Sequence, residues 1–341
     1  MMIETGIAPN FTHRTYASTD DIPALVELLN TAQQPYGDDL VDTVAQWQAD
    51  LSSPRINPQQ DVILWHAPDG QLAGVVAVFP SSLDSTEPPD AFVQVQAHPV
   101  YDTPAFTLHM VQHAEQRLQA ICGERGLPQM TLITGADSRY HARLALLDEL
   151  APDYRVQRRY HRMRRPLTDA ALPLAAPAVP DGFRIVSDEE QGTGPAWLAA
   201  WVAMFNDSFV DHYNFHPTNI AEHQHYIEHN PAYVPAMNLT LLAPDGTPVA
   251  FCYVELDADY ARAVGEQVGL IGVLGVRRGY RRMGLGRAML RAGMHCLQAH
   301  GASAAMLGVD ATNPNEAVQL YTSEGFTITR TYISYRRVVQ A

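Results

Sequence analysis

Val276-Arg277-Arg278-Gly279-Tyr280-Arg281-Arg282-Met283-Gly284-Leu285-Gly286-Arg287 follows an apolar run, Val268 to Val276, and precedes Ala288-Met289-Leu290-Arg291-Ala292. The first run, apolar and interrupted by glycine, predicts a strand, and the second predicts the opening turns of a helix. A helix that begins this way leaves its first N–H groups without intrahelical partners, at the end where its dipole is positive. Such a terminus suits a phosphate or pyrophosphate. Gly284 and Gly286 lack a Cβ, so a ligand can approach their backbone closely. Arg277, Arg278, Arg281, Arg282, Arg287 and Arg291 crowd the same turn in a chain of formal net charge -14. That local reversal of charge marks an anion site.

The spacing Arg281-x-x-Gly284-x-Gly286 is neither a dinucleotide fingerprint, which needs G-x-G-x-x-G, nor a P-loop, which needs G-K-[ST]. Downstream lie a second apolar run (Ala304 to Asp310), then Asn313-Pro314-Asn315, then Ala317-Val318-Gln319-Leu320-Tyr321-Thr322-Ser323-Glu324-Gly325-Phe326. In this order the two stretches resemble the signatures of the GNAT superfamily of N-acyltransferases. These are an acyl-CoA pyrophosphate loop and, after it, a strand, an Asn turn, a Leu-Tyr helix and a Gly-Phe stop.

The resemblance implies an α/β fold with a mixed, mostly antiparallel central sheet and helices on both faces. It also implies acetyl-CoA as acyl donor. In that fold the strand before the glycine turn and the next strand splay apart to admit the pantetheine arm. Leu274, Gly275 and Val276 would then meet the pantetheine. Arg281, Arg282, Met283, Gly284, Leu285, Gly286 and Arg287 would cradle the pyrophosphate. Asn313 would hydrogen-bond the cofactor or cap a helix. Tyr321 holds the position of the general acid that protonates the departing thiolate. On its residues alone it reads as a core aromatic beside Phe326. Where many relatives carry a carboxylate base near the end of the central strand, this chain has Gly272. Glu255, Asp257 and Glu266 are the substitutes, with a water chain as another route, and Glu255 is the choice taken here.

The segment Phe205 to His216 is expected to line the acceptor side, with Phe209, His212 and Tyr213 as substrate contacts. Its aromatics and carboxylates suit a polar, cationic acceptor. His212, His216, His223, His225 and His229 invite a metal reading. No cysteine or H-E-x-x-H pattern accompanies them, so a solvated helix face and no metal are expected.

At 341 residues the chain is long enough for about two domains. Hydrophobic residues at 46% and charged residues at 18% describe an ordinary globular composition. The acidic balance argues against nucleic acid as a partner, since such proteins show a basic face. Three cysteines (Cys122, Cys252 and Cys296) give no disulfide framework. No apolar run approaches the ~18 residues that span a bilayer, and no secretory pattern opens the sequence. A cytoplasmic protein without a membrane partner is expected, its oligomeric state open.

Pro166, Pro173, Pro177 and Pro180 punctuate an alanine-rich stretch that reads as an extended linker. It divides the chain into 1–166, a linker at 167–181, and 182–341. Landmarks repeat across it. Ala67-Pro68-Asp69-Gly70 returns 176 positions later as Ala243-Pro244-Asp245-Gly246, each between β-rich runs. Tyr101 matches Tyr280, and both halves close on an aromatic-basic strand. The first copy is disarmed, with Asp102 for Arg281, Ala105 for Gly284, Thr107 for Gly286, and Leu146-Leu147-Asp148 for the Leu-Tyr helix. Two tandem GNAT-like domains are therefore expected, the first degenerate and lacking an acyl-CoA loop. The second is expected to be an N-acetyltransferase acting on the amine of a small molecule. A non-catalytic acyl-CoA sensor and a protein N-acetyltransferase are the alternatives.

Overall fold

Each half of the chain folds a β-hairpin about its Ala-Pro-Asp-Gly turn. Asp69 Oδ1 accepts the Gln71 N–H at 3.0 Å, and Asp245 Oδ1 accepts the Thr247 N–H at 2.9 Å. This is the Asx-type closure that favours aspartate in turns. The computed structural model describes residues 11–36, 41–53, 55–81, 89–211, 215, 217–230, 232–312 and 316–341. By packing, the chain forms two units: Met1–Tyr160 with Thr331–Ala341, and His161–Arg330.

The first unit runs β1 (Thr12–Thr15), α1 (Ile22–Gln33), α2 (Val44–Leu51), α3 (Pro58–Asp61), β2 (Val62–His66), β3 (Leu72–Pro80) and β4 (Asp90–Ala97). It continues with α4 (Pro104–Arg125), β5 (Gln129–Asp137), α5 (His141–Glu149) and the start of β6 (Arg155–Pro166). Its sheet order is β1-β2-β3-β4-β5, with only β4 and β5 parallel. Alternate residues of β3 serve opposite faces. Val76 and Val78 pack with Phe106, Met110 and Leu118 of α4, whereas Val75 and Ala77 pack with Leu25 and Leu29 of α1.

The second unit holds the end of β6, then β7 (Arg184–Ser187), α6 (Asp188–Gln191), α7 (Pro195–Phe209), α8 (Ile220–His229), β8 (Asn238–Leu242) and β9 (Pro248–Leu256). After these come α9 (Ala258–Val264), β10 (Val268–Val276), α10 (Leu285–Ala299), β11 (Ala304–Asp310), α11 (Ala317–Ser323) and the start of β12 (Thr327–Gln340). Its sheet order is β7-β8-β9-β10-β11-β6. Strand β9 alternates as β3 does. Cys252 and Val254 pack with Met289 and Met294 of α10, and Phe251 and Tyr253 pack with Trp201 and Met204 of α7. Each unit is thus a mostly antiparallel sheet with helices on both faces. No described helix is long and apolar enough to cross a membrane.

A division at the proline-rich stretch and the division by packing differ in two places. Residues 161–166 fall in the first domain by sequence but in the second unit by packing, and the C-terminal residues go the other way. Residues 331–341 fall in 182–341 by sequence but belong to the first unit. There β12 pairs antiparallel with β5 from Tyr332↔Asp137 to Gln340↔Gln129. The stretch 167–181 is irregular, as expected, but not a free spacer. Leu167 is buried, Leu174 and Val179 pack on the second core, and His295 and Arg291 bond the Ala175 and Ala176 carbonyls.

The duplication extends to individual hydrogen bonds. Asn30 Nδ2 donates to the Asp42 carbonyl at 3.0 Å, and its Oδ1 accepts the Asp42 N–H at 2.8 Å. Asn206 clasps Thr218 identically, at 2.9 and 3.0 Å, 176 positions later. Thr43 and Asn219, also 176 apart, cap α2 and α8 by accepting the Gln46 and Glu222 N–H groups.

Candidate active site

Strand β10 pairs with β11 only over Val268↔Ala304, Gly269↔Ala305 and Leu270↔Met306, yet both strands continue, β10 to Val276 and β11 to Asp310. From Ile271 onward β10 keeps its antiparallel partner β9 and parts from β11. The gap leaves every second backbone N–H and C=O of 271–276 facing open space. Leu274, Gly275 and Val276 line this free length.

The gap ends at the arginine-glycine turn. Arg282 (φ 66°) and Gly284 (φ 79°) both adopt left-handed backbone, and no side chain caps α10 at Gly284. Successive turn conformations of this kind gather N–H groups into an anion-binding concavity. Among the described residues, no N–H from Arg282 to Arg287 donates within the chain; the Ala288 N–H is the first to do so, to the Gly284 carbonyl at 3.1 Å. A Cβ at Gly284 would meet nothing within 4 Å, and one at Gly286 would meet Val276 Cγ2 at 3.5 Å and Leu320 Cδ2 at 4.0 Å. The end of β10, the start of α10 and α11 therefore converge on this turn.

The arginines are less free than their density implies. Arg277 pairs with Asp207 at 2.9 Å, and Arg278 and Arg281 both bond Asp211. These bonds hold the Asp211 carboxyl well below its usual range. Arg281 also donates to the carbonyls of Ser208 at 2.8 Å and Val276 at 3.3 Å. Arg287 and Arg291 share the buried Glu324; burial pushes that carboxyl up, but bonds from Arg291 and Arg287 outweigh it and hold it below normal. Arg282 alone of these stays highly exposed, 3.6 Å from Glu316. The side chains of Arg281 and Arg287 thus brace the loop, which leaves its backbone N–H groups and the exposed Arg282 as its open donors.

Gly272 is the extra residue of a bulge. Ile271 faces Val254 and Val273 faces Tyr253, so two steps on β10 match one on β9. The space it leaves is taken by Glu255, whose carboxyl carbon lies 3.6 Å from where a Cβ would stand. Tyr226 Oη donates to Glu255 Oε1 at 2.6 Å and Asn230 Nδ2 at 3.1 Å. The other carboxylates have structural duties. Asp257 caps α9, a helix absent from the sequence reading, and Glu266 pairs with Arg164 and accepts from Ser303.

Tyr321 is buried in the α10 core, its ring 6.0 Å from that of Phe326 in an edge-on contact. Burial, with Cys252 adding, drives its phenol pKa well up, so it is fully protonated near neutrality. On the opposite face Phe209 stands 4.9 Å from Phe205 and 6.0 Å from Phe251. His212, Tyr213 and Asn313 lie outside the described residues. His223 departs from the solvated face expected of this segment: it is 5% exposed and stacks on Trp201 with centroids 3.7 Å apart and planes 2° apart. Desolvation lowers its pKa to about 4.

The first unit differs from the second at the corresponding places. Its gap begins alike, β4 and β5 pairing only from Asp90↔Thr131 to Phe92↔Ile133, but Thr134 Oγ1 donates to the Val93 carbonyl at 2.9 Å. Helix α4 starts with Pro104 and is capped by Thr103, whose hydroxyl accepts the Phe106 N–H. Asp102 at its mouth accepts from Tyr140 and from Thr107. At the start of α4 Pro104 has no N–H and the Phe106 N–H is taken by Thr103, whereas no side chain caps the start of α10.

Residues 198–326 match the family model for the acetyltransferase (GNAT) family. The mycothiol acetyltransferase of Thermobispora bispora is 36% identical over 179 residues, 52% of this chain and 56% of that protein. That of Renibacterium salmoninarum is 30% identical over 230 residues, 64% of each. The chain spans little more than half the length of most curated relatives it matches. Among solved structures, a GCN5-related N-acetyltransferase from Sphaerobacter thermophilus superposes with a TM-score of 0.77 at 21% identity, covering 97% of this chain and 96% of that one. A tandem GNAT protein from the clavulanic acid biosynthesis pathway gives 0.70 at 12% identity, covering 97% and 99%. The fold is the tandem GNAT fold, and residues 198–326, which carry the gap, the turn, Glu255 and Tyr321, match the model of the GNAT acetyltransferase family.

Proposed function

We propose that the second unit transfers an acetyl group from acetyl-CoA to the amine of a small molecule. One observation carries the reading: the β10–β11 gap opens beside a turn whose N–H groups from Arg282 to Arg287 have no acceptor within the described chain. A gap edged by free backbone suits an amide-bearing arm, and a helix start with open donors suits the pyrophosphate attached to it. Leu274, Gly275 and Val276 would bind the first. The backbone of Arg282, Met283, Gly284, Leu285, Gly286 and Arg287 would bind the second, with Asn313 contributing from the next turn.

Glu255 is the proton acceptor of this scheme. It takes the proton of the attacking ammonium, directly or through one water, freeing the lone pair that attacks the thioester carbon. As the C–S bond breaks, Tyr321 donates its phenolic proton to the sulfur. Its high pKa keeps that proton in place until a basic thiolate forms. Phe209, His212 and Tyr213 would hold the acceptor. The relatives named mycothiol acetyltransferases support a small-molecule acceptor, without fixing which one.

Titration calorimetry with acetyl-CoA tests the assignment. One site per chain, lost in Gly284→Asp, is the expected result, and release of free thiol in the presence of amines completes it. Binding without turnover across a broad amine screen would replace the enzyme with a sensor. Undiminished binding by Gly284→Asp would remove the loop assignment.

A further inference from the structure

The first unit retains the acceptor-side framework of the second without its chemistry. The matched Asn30–Asp42 and Asn206–Thr218 clasps and the matched caps of α2 and α8 set the two regions in register at 176 positions. In that register Trp47 stands where His223 does, Asp50 where Tyr226 does, and Phe79 where Glu255 does. With the Leu-Tyr helix matched at 174 positions, Leu147 replaces Tyr321, and the capped start of α4 replaces the open start of α10. Neither a base nor an acid nor a pyrophosphate cradle survives. A cavity does.

This cavity of about 470 Å³ lies between α2, β3 and β4 of the first unit. Its lining includes the aromatics Trp47, Phe79 and Phe92, the carboxylates of Asp42 and Asp50, and Arg55. Trp47 is 3% exposed and packs on Phe79 at 5.9 Å, forming a fixed apolar wall. Phe92 stays 40% exposed, unusual for an aromatic on an inner strand. Asp42 Oδ1 accepts the Trp47 indole N–H at 2.9 Å, so the indole anchors one carboxylate at the base of the wall. No ion pair to a cation is present for either Asp42 or Asp50 among the described residues. Burial raises the pKa of Asp42, partly countered by the Trp47 bond, and the neighbouring Asp50 carboxylate adds to the rise.

We infer that this cavity binds a small organic ammonium ion with an aromatic or apolar body. Two carboxylates against one guanidinium leave the lining net negative, which selects a monocation over an anion. Aromatic faces add cation–π attraction and cover the apolar part of the ligand. The volume falls within the usual range of small-molecule sites. Because the catalytic positions are replaced, the bound molecule is held and not transformed. The inference stands apart from the activity proposed for the second unit and survives or fails without it.

Phenethylamine at neutral pH is the probe, followed by calorimetry and by tryptophan fluorescence, with 3-phenylpropionate as its anionic counterpart. Saturable binding of the amine is expected, weakened about tenfold or more by Asp50→Asn and by Phe92→Ala and unchanged by Glu255→Gln. The fluorescence response should vanish in Trp47→Phe, and 3-phenylpropionate should not bind. Asp50 and Phe92 are both exposed, so their variants are expected to fold, which thermal melting checks. Binding that ignores both substitutions, binding lost in Glu255→Gln, equal binding of the anion, or no binding at millimolar probe would each overturn the inference.

Discussion

A Cβ at position 284 would meet open space, so steric crowding does not require glycine there; the left-handed backbone angle favours it. Aspartate tolerates left-handed backbone better than most residues, which makes Gly284→Asp a clean probe. Acetyl-CoA affinity should fall at least a hundredfold by calorimetry while the melting temperature moves little. Tyr321→Phe removes one oxygen from a packed site and should lower kcat by about 10²–10⁴, the usual worth of a general acid, with acetyl-CoA affinity retained. A variant as fast as the parent would return Tyr321 to the role of a core aromatic. Glu255→Gln should cut kcat on a similar scale, and Tyr226→Phe, which strips one of the two donors that orient Glu255, should cost less. Equal losses would mean that Tyr226 itself takes part.

Helix α8 meets α7 through a neutral imidazole, and this gives the element a pH dependence. His223 has a folded pKa of about 4 against a usual value near 6.5. Its neutral form is favoured by the fold, so stability is complete above the unfolded pKa and declines as pH falls from about 6.5 to 4. Below that the folded state protonates too and the loss stops, after a total on the order of 3 kcal/mol. His223→Phe should flatten melting temperature across this window; an unchanged slope would place the titration elsewhere. The burial of His223 was not legible in the sequence, because a helix rich in His, Glu and Gln looks solvated until Trp201 is seen beneath it. The bulge at Gly272 was hidden for a related reason: it exists only in the register between β10 and β9. Six arginines around one turn read as an anion site, and only the fold brings Asp207, Asp211 and Glu324 from distant segments to bind most of them. What depends on local order was legible. Strand β10, helix α7 and the two Asp-Gly hairpins fall where apolar runs and turn residues place them.

At the scale of the molecule, the first unit borrows from the far end of the sequence, while the second is one continuous segment. The first sheet is finished by residues 331–341, which carry Tyr335 and Val339 into its core. Removing them should cost about 3–6 kcal/mol from those two side chains alone, besides the β5 ladder. Hydrogen exchange should then show β5 losing protection while acetyl-CoA binding by the second unit persists; a β5 that stays protected would contradict this. The same arrangement has a consequence during synthesis. The edge of β5 that β12 will cover has left the ribosome long before Thr331 is made. At typical elongation rates the 170 residues of His161–Arg330 take roughly 9–34 seconds. For that interval the nascent first unit presents an unfinished sheet edge, the kind of surface that recruits stray strands or holding chaperones. Its folding is therefore timed by the completion of its neighbour, although its own residues come first.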